Sequence, residues 1–267
     1  MLLVVDALNR HRFEDILEEM FRLRARVFGG RLGWEVSVAD GMERDQFDAL
    51  DPAYAIGIDD EGNVVSCVRA LQTTGPHMLS DVFADILGGE PPLRDPLVWE
   101  STRFCVDTTR LTAAGGMQGV SRATCELMIA SLETALEAGI SDIVTVIDPV
   151  MNRVLKRSGN APYDYLGKTV PMGKVPAMAA LLDVTPERIK AIRDFAGIDY
   201  NVFLTEDEAR DRFARRGAEV APLLAAGQPM DKLQTYCLEQ LSAASTEEER
   251  AKAIELMDAL TAYARAH

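Results

Sequence analysis

The chain has 267 residues, of which 48% are hydrophobic and 26% are charged, and its formal net charge is -14. A chain of this size can bury one substantial core, and its strong negative charge disfavours nucleic acids and anionic membrane surfaces as partners. No run of about 18 apolar residues occurs, so we expect no membrane-spanning helix and no membrane partner.

The first half of the chain predicts a strand, a helix, a loop and three further strands. Apolar residues 2–6 are typical of a strand, and a helical period from 10 to 28 predicts a helix that Gly29 and Gly30 end. Residues 31–51 lack a regular period and predict a long functional loop. The next elements are two strands joined by a tight turn, a short helix and another strand, at 54–59, 64–71, 78–87 and 98–107.

The second half alternates helices with strands and then becomes helical. Its predicted elements lie at 122–138, 142–147, 150–158, 163–167, 174–182 and from Thr185 onward. This order predicts an α/β (α+β) layered domain over residues 1–204. We predict that residues 205–267 form a C-terminal helical extension, because capping boxes begin at Thr205 and Ser245 and a helical stripe of apolar residues runs from 254 to 264.

The histidines and cysteines do not form a recognisable site. The three histidines lie far apart along the chain, and the four cysteines include no Cys-x-x-Cys pair. We therefore predict no metal site and no Ser-His-Asp triad, and we predict free thiols, as is typical of a cytoplasmic protein. Any chemistry is expected to depend on carboxylates and arginines.

Charged residues stand within two predicted strands whose other residues are largely apolar. Arg69 lies in one strand, and Glu100 and Arg103 lie in the next. A charge in a central strand needs a partner, because burying an unpaired charge is costly. The preceding loop offers Asp45 and Asp48, which on their own would be read as solvated acids. A salt bridge would explain one such residue, but the whole set predicts a polar site.

Taken in order, these residues resemble the acyl-homoserine-lactone synthase family, the autoinducer synthases of bacterial quorum sensing. The resemblance covers about residues 1–185, and it is carried by Arg24-x-x-x-Phe28, Trp34, Asp45-x-x-Asp48, Arg69 and Glu100-x-x-Arg103-Phe104. It implies an N-acetyltransferase-like fold, in which a mixed and twisted sheet is flanked by helices on both faces.

The resemblance also implies a two-step reaction that needs no separate cofactor. An acyl group passes from the thioester of an acyl carrier protein or of acyl-CoA to the amine of S-adenosylmethionine. The methionine carboxylate then attacks its own γ-carbon, which closes the lactone and expels methylthioadenosine. Because the amine must lose a proton before it attacks, we expect Glu100 to act as the general base.

The other residues of the resemblance are expected to hold the substrates. Asp45 and Asp48 would supply negative potential for the sulfonium, and the carboxylates would be held in a charge network by Arg24, Arg69 and Arg103. The expected substrate-binding side chains are Phe28, Trp34, Phe104 and Thr145. The ring of Trp34 could face the sulfonium. Thr145 stands where some family members carry a threonine associated with 3-oxo-acyl chains, and the acyl tail would lie between the predicted helix 122–138 and strand 142–147.

The spacing of Glu100 and Arg103 requires an irregular strand. Side chains alternate along a regular strand, so residues three apart point to opposite faces. Both can serve one site only if an extra residue is inserted between them. We therefore predict a bulge or a similar irregularity between residues 99 and 105.

A cluster of basic residues on the predicted helix 150–158 stands out in this acidic chain. It consists of Arg153, Lys156 and Arg157, and it would suit the acidic surface of an acyl carrier protein or the phosphates of coenzyme A. Cations that offset the carboxyl end of a helix are an equally good explanation. No motif predicts an oligomeric state.

Two other functions remain open at this point. An acetyl-CoA-dependent N-acetyltransferase of the same fold would need a glycine-rich pyrophosphate loop, of which Gln118-x-x-Ser121-x-Ala123 is only a faint trace. A non-catalytic ligand-binding domain would use the charged residues as structure alone. Turnover of S-adenosylmethionine with an acyl thioester separates both from a lactone synthase.

Overall fold

The computed structural model describes residues 1–108, 120–172 and 175–215, with a few isolated positions after residue 240. Its strands are β1 (Leu2–Val5), β2 (Val38–Ala39), β3 (Met42–Glu43), β4 (Ala53–Ile58), β5 (Val64–Gln72), β6 (Val98–Val106), β7 (Asp142–Ile147), β8 (Asp164–Met172) and β9 (Val175–Asp183). Its α-helices are α1 (Glu14–Arg24), α2 (Met78–Asp81), α3 (Arg122–Glu137), α4 (Pro149–Arg157), α5 (Pro186–Ala196) and α6 (Glu206–Ala214).

Seven strands form one mixed sheet, in the order β1-β4-β5-β6-β7-β9-β8. β6 and β7 run parallel, and the other neighbouring pairs of this sheet are antiparallel. β2 and β3 form a separate two-stranded ribbon. The predicted mixed α/β class is confirmed, and so is the predicted chain order of the seven main strands.

Helices cover both faces of the sheet. On one face, called the α1 face, buried residues of α1 such as Ile16 and Met20 pack on β1, β4 and β5, and α2 lies beside them. On the other, called the α3 face, Leu127 and Ile129 of α3 share a core with residues of α4 and α5. Burying apolar side chains on both faces stabilises the sheet and fixes which strand residues point to which side.

The first helix departs from its prediction. Gly29 and Gly30 do not end it, because α1 continues directly into a π-helical segment, Ala25–Arg31, that contains both glycines. The backbone N–H of Leu32 donates to the carbonyl oxygen of Val27 at 2.9 Å, which is a hydrogen bond across five residues. π turns of this kind are frequent at functional sites, and glycine weakens helical structure without forbidding it.

The predicted loop 31–51 is more structured than expected. It contains the β2–β3 ribbon and a short 3-10 helix, Gln46–Leu50. Asp45 caps this helix by accepting from the backbone N–H of Phe47, and Asp48 accepts from the backbone N–H of Asp45. The spacing of the two acids thus forms a capping box, which orients both carboxylates.

The first part of the predicted extension lies against the domain. The capping box at Thr205 is confirmed, and the α6 helix that it begins packs on the α1 face through Ala209. Ion pairs join Arg210 to Asp15 and Arg212 to Asp60. The boundary after residue 204 stays a prediction. The predicted capping box at Ser245, most of the stripe 254–264 and Gln118 lie outside the described residues.

Two further expectations concern cysteines and membranes. Cys67, Cys105 and Cys125 are buried free thiols, as predicted, and Cys237 lies outside the described residues. Within the described part of the chain, no helix combines the length and the hydrophobicity that crossing a bilayer requires.

Candidate active site

A bulge in β6 places Arg103 on the α1 face. Cys67 of β5 pairs with Cys105 of β6, and Arg69 of β5 pairs with Thr102 of β6. Two steps along β5 therefore correspond to three steps along β6. Two residues, Arg103 and Phe104, therefore stand opposite the single Val68. Arg103 has a φ of 54°, a left-handed conformation that side chains other than glycine adopt rarely. The predicted irregularity between residues 99 and 105 is confirmed.

The bulge decides which residues of β6 share a face. Glu100, Thr102 and Arg103 all contact residues of the α1 face, whereas Phe104 packs against the core of the α3 face. Without the extra residue, Glu100 and Arg103 would point to opposite sides. The bulge thus places the carboxylate of Glu100 and the guanidinium of Arg103 on the same face of the sheet.

Seven charged side chains meet on the α1 face, and they are called the charge cluster below. They come from α1, β3, the turn after β3, the 3-10 helix Gln46–Leu50, β5 and β6, and they are Arg24, Glu43, Asp45, Asp48, Arg69, Glu100 and Arg103. Three guanidiniums face four carboxylates, so the cluster carries one excess negative charge when every group is ionised. All six residues that were predicted from the sequence to be catalytic belong to this cluster.

Asp48 accepts five hydrogen bonds. Arg24 donates to both of its oxygens at 2.8 and 2.9 Å, and Arg69 donates at 2.7 Å. The other donors are the hydroxyl of Tyr54 at 2.6 Å and the backbone N–H of Asp45 at 2.8 Å. Burial alone would raise the pKa of Asp48, but the hydrogen bonds and charges of the two arginines hold it well below its usual range. Asp48 is therefore an ionised anchor with its lone pairs occupied.

Glu43 is a buried bridge that the sequence did not reveal as functional. Its side chain is 0% exposed and lies 2.5 Å from Nε of Arg24 and 3.0 Å from Nη2 of Arg103. It thereby connects the first helix to the bulge of β6. The one sequence feature that pointed to Glu43 is its position close to Asp45 and Asp48. Charge alone, however, does not distinguish a buried acid from a solvated one.

Asp45 and Arg103 form the edge of the cluster that reaches solvent. Their side chains are 16% and 13% exposed, and Oδ2 of Asp45 lies 2.7 Å from Nη2 of Arg103. The same carboxylate also receives two hydrogen bonds from Arg69, at 2.5 and 2.9 Å. A ligand that approaches the cluster can therefore meet these two side chains before the fully buried Arg24 and Arg69.

Glu100 is buried beneath the start of α2. Its two oxygens accept hydrogen bonds from the backbone N–H groups of Met78 and Leu79, at 2.7 and 2.6 Å. Burial raises the pKa of the Glu100 carboxyl to about 7, although these two hydrogen bonds and the charge of Arg69 act in the opposite direction. A carboxyl with a pKa near neutrality can exchange a proton at physiological pH.

An aromatic pair stands at the rim of the cluster. The rings of Phe28 and Trp34 stack with centroids 5.2 Å apart and an interplanar angle of 17°. The guanidinium of Arg103 lies 5.6 Å from the centroid of Phe28, which is buried, while Trp34 is 46% exposed. Both predicted aromatic residues are thus beside the charge cluster, with Trp34 on the solvent side.

Two predicted substrate-binding residues lie elsewhere. Phe104 packs against the core of the α3 face, and Thr145 lies on β7 between Val144 and Val146, which belong to the α1 face. By strand alternation Thr145 therefore shares the α3 face with Phe104. A small pocket of about 20 Å³ opens on that face, and its lining includes Val68, Trp99, Ala70, Ser131 and Thr134.

The three basic residues of α4 are also remote from the charge cluster. Arg153, Lys156 and Arg157 are all exposed, and none has an ion-pair partner among the described residues. The ammonium of Lys156 lies 5.9 Å from the ring centroid of Tyr165 in β8. This surface is an unneutralised basic patch on an acidic protein.

Comparison with known proteins gives a consistent result. Residues 8–192 match the family model described as autoinducer synthase. An acyl-homoserine-lactone synthase of Agrobacterium fabrum is 40% identical over 182 residues, which cover 68% of this chain and 85% of that protein. One from Pseudomonas aeruginosa is 38% identical over 160 residues, which cover 59% of this chain and 78% of the relative.

Solved structures of acyl-homoserine-lactone synthases are also similar to this chain. The crystal structure of the synthase LasI is 31% identical and superposes with a TM-score of 0.61, covering 75% of this chain and 98% of LasI. BjaI, a CoA-dependent acyl-homoserine lactone synthase solved with S-adenosylmethionine and isopentyl-CoA, is 26% identical. Its TM-score is 0.65, and the match covers 79% of this chain and 98% of BjaI.

Proposed function

The chain belongs to the autoinducer synthase family, whose members are acyl-homoserine-lactone synthases. On this basis we propose a role for each part of its candidate site. The charge cluster binds S-adenosylmethionine, and the α3 face receives the acyl chain. The observation that carries the proposal is the meeting of four carboxylates and three guanidiniums beside the Phe28–Trp34 stack.

The charge cluster suits a substrate with several charges. S-adenosylmethionine has a sulfonium, an ammonium and a carboxylate, and the excess negative charge of the cluster favours its net positive charge. Asp45 and Arg103 are the members that reach solvent, so they meet the substrate first. Trp34 offers the face of an indole ring to the sulfonium. Arg24, Asp48 and Glu43 act behind them as a rigid support.

Glu100 is proposed as the base for amide formation. The α-ammonium of the substrate has an ordinary pKa of about 8, so a base must take its proton before the amine can attack the thioester carbon. A carboxylate with a pKa of about 7 is well matched to that transfer. Each oxygen of Glu100 has one backbone donor, which leaves lone pairs for the proton of the amine or of an intervening water.

The decisive experiment is turnover by the full chain. The protein is incubated with S-adenosylmethionine and a mixture of acyl thioesters, and the products are identified by mass spectrometry. An acyl-homoserine lactone together with methylthioadenosine supports the proposal. Acetylated amine without methylthioadenosine would indicate an N-acetyltransferase, and binding without turnover would indicate a ligand-binding domain.

The acyl chain is assigned to the α3 face. Phe104 and Thr145 are both on this face, on the two strands that run parallel to each other. Their last paired residues are Ser101 and Thr145, and β6 continues beyond that pair to Val106. An acyl thioester lying at this divergence would have its carbonyl near the bulge and its apolar tail among the residues under α3.

The basic patch of α4 is assigned to the acyl donor. Replacing Arg153, Lys156 and Arg157 together with glutamine is expected to raise the KM for acyl carrier protein or acyl-CoA roughly tenfold, because unpaired surface cations attract an anionic donor. The KM for S-adenosylmethionine is expected to change less than twofold, which is a prediction that steady-state kinetics can check.

Two controls define the docking role. An acyl-pantetheine thioester lacks both the carrier and the phosphates, so its KM is expected to be the same in the triple variant and the unmodified protein. Lys190→Gln removes another exposed cation, on α5, and is expected to leave the KM for every substrate unchanged. Equal increases in the KM of both substrates would contradict the assignment.

A further inference from the structure

One guanidinium nitrogen of the charge cluster has no oxygen partner in the part of the chain that the structure describes. Arg24, Arg69 and Arg103 present nine guanidinium nitrogens, and eight of them donate to an oxygen atom. The exception is Nη1 of Arg103, whose acceptor among the described residues is Sδ of Met78 at 3.3 Å. Arg103 is also the most exposed of the three arginines.

Met78 touches three members of the cluster. Its backbone N–H donates to Glu100 at 2.7 Å, and its sulfur lies 3.4 Å from Nη2 of Arg69 as well as 3.3 Å from Nη1 of Arg103. The side chain is nearly buried, and its apolar neighbours include Phe47. A thioether is a weak acceptor, so this contact orients the guanidinium without competing strongly with an anion.

We propose that Met78 is a positioning residue that keeps Nη1 of Arg103 available for the α-carboxylate of S-adenosylmethionine, an inference that rests on the proposed function. In the free protein the sulfur holds the guanidinium in place. When the substrate binds, a carboxylate oxygen replaces the sulfur as the acceptor, because a charge-assisted hydrogen bond is much the stronger of the two.

A single available nitrogen also suits the second chemical step. Nη1 can hold one carboxylate oxygen, while Nε and Nη2 of Arg103 stay engaged with Glu43 and Asp45. The second oxygen remains free to attack the γ-carbon. That attack forms the C–O bond of the lactone and breaks the bond from the γ-carbon to sulfur, whose electron pair leaves with methylthioadenosine. A carboxylate gripped through both oxygens would be a poorer nucleophile.

The test replaces the sulfur with a strong acceptor. In Met78→Gln, the amide oxygen would occupy Nη1 of Arg103 permanently, so we expect the Kd for S-adenosylmethionine to rise by about tenfold. Methylthioadenosine has no carboxylate, and its Kd is expected to change less than twofold. Both constants are measured by calorimetry on the full-length protein without acyl donor, with the melting temperature as a check on folding.

Met78→Leu provides the matched variant of similar volume. It has no acceptor, so the Kd for S-adenosylmethionine is expected to stay within about twofold of the original value, while turnover falls several-fold because Arg103 loses one of the contacts that orient it. This variant also keeps the test decisive if Met78→Gln does not fold.

Three results would overturn the inference. They are an equal loss of both ligands in Met78→Gln, an unchanged Kd for S-adenosylmethionine in that variant, and a selective loss of S-adenosylmethionine in Met78→Leu. Failure of the proposed function would look different, because the unmodified protein would then neither bind S-adenosylmethionine nor form a lactone.

Discussion

Glu100→Gln is expected to lower the rate of amide formation by about 100-fold or more, because the amide cannot accept the proton of the substrate ammonium. The side chain keeps its size, but its NH2 group would face one of the two backbone N–H groups that now donate to the carboxylate. Single-turnover acyl transfer measures the chemical step, and circular dichroism shows whether the variant folds. Turnover at the original rate would remove Glu100 as the base.

The pH dependence of the same step provides a second measurement. A base with a pKa of about 7 loses its function as the pH falls below that value, so the original protein should show an acid limb centred near neutrality. In Glu100→Gln the residual rate should lack this limb. An identical limb in both proteins would assign the titration to another group.

Stability should change with pH for the same reason. Burial raises the pKa of Glu100 above its unfolded value, so protonation favours the folded state. This contribution is fully present below the unfolded pKa and is lost as the pH rises through about 7. Glutamine does not ionise. The melting temperature of Glu100→Gln relative to the original protein should therefore increase between about pH 5 and pH 8.

Asp48→Ala is expected to reduce the free energy of unfolding by about 3–5 kcal/mol, because it leaves buried guanidiniums without their main acceptor. Arg24 and Arg69 are 0% exposed, and each donates to this carboxylate. Asp45 shares Nη1 of Arg69 with Asp48, but among the described residues Nη1 and Nη2 of Arg24 donate to Asp48 alone and would lose their acceptor. Urea denaturation measures the change.

Tyr54→Phe is the matched control for Asp48→Ala. It removes a single neutral donor to Asp48 and leaves both ion pairs in place, so the expected loss is about 1 kcal/mol. If the two variants were equally stable, the carboxylate would not be the anchor that its five hydrogen bonds indicate.

Much of the fold could be predicted because its signals are local. Apolar runs gave the main strands, and capping residues such as Thr185 and Thr205 marked the starts of helices that the structure contains. The path of α1 into the π-helical segment Ala25–Arg31 could not be predicted in this way. The packing of Phe28 and Val27 into the core outweighs the unfavourable helix propensity of the two glycines that follow.

The site was predicted where charge stood out against an apolar strand. Arg69, Glu100 and Arg103 were identified on that ground, and the requirement that the last two share a face led to the bulge. Glu43 and Met78 were not identified as functional, because their importance arises from contacts between distant segments. Nothing in the local sequence distinguishes Met78 from an ordinary core methionine, and only its sulfur lying against two guanidiniums does so.

Arg103 is an extra residue in a strand that otherwise pairs regularly. Strand residues on either side of Arg103 alternate as they would in a regular strand, with Thr102 and Cys105 towards α1 and Phe104 and Val106 towards α3. Arg103 is thus an extra residue in the strand. If it were deleted, Thr102 and Phe104 would become neighbours, and every other side chain of β6 would still point to its present face. The assignment of the other β6 side chains to the two faces therefore does not depend on the residue that carries the guanidinium.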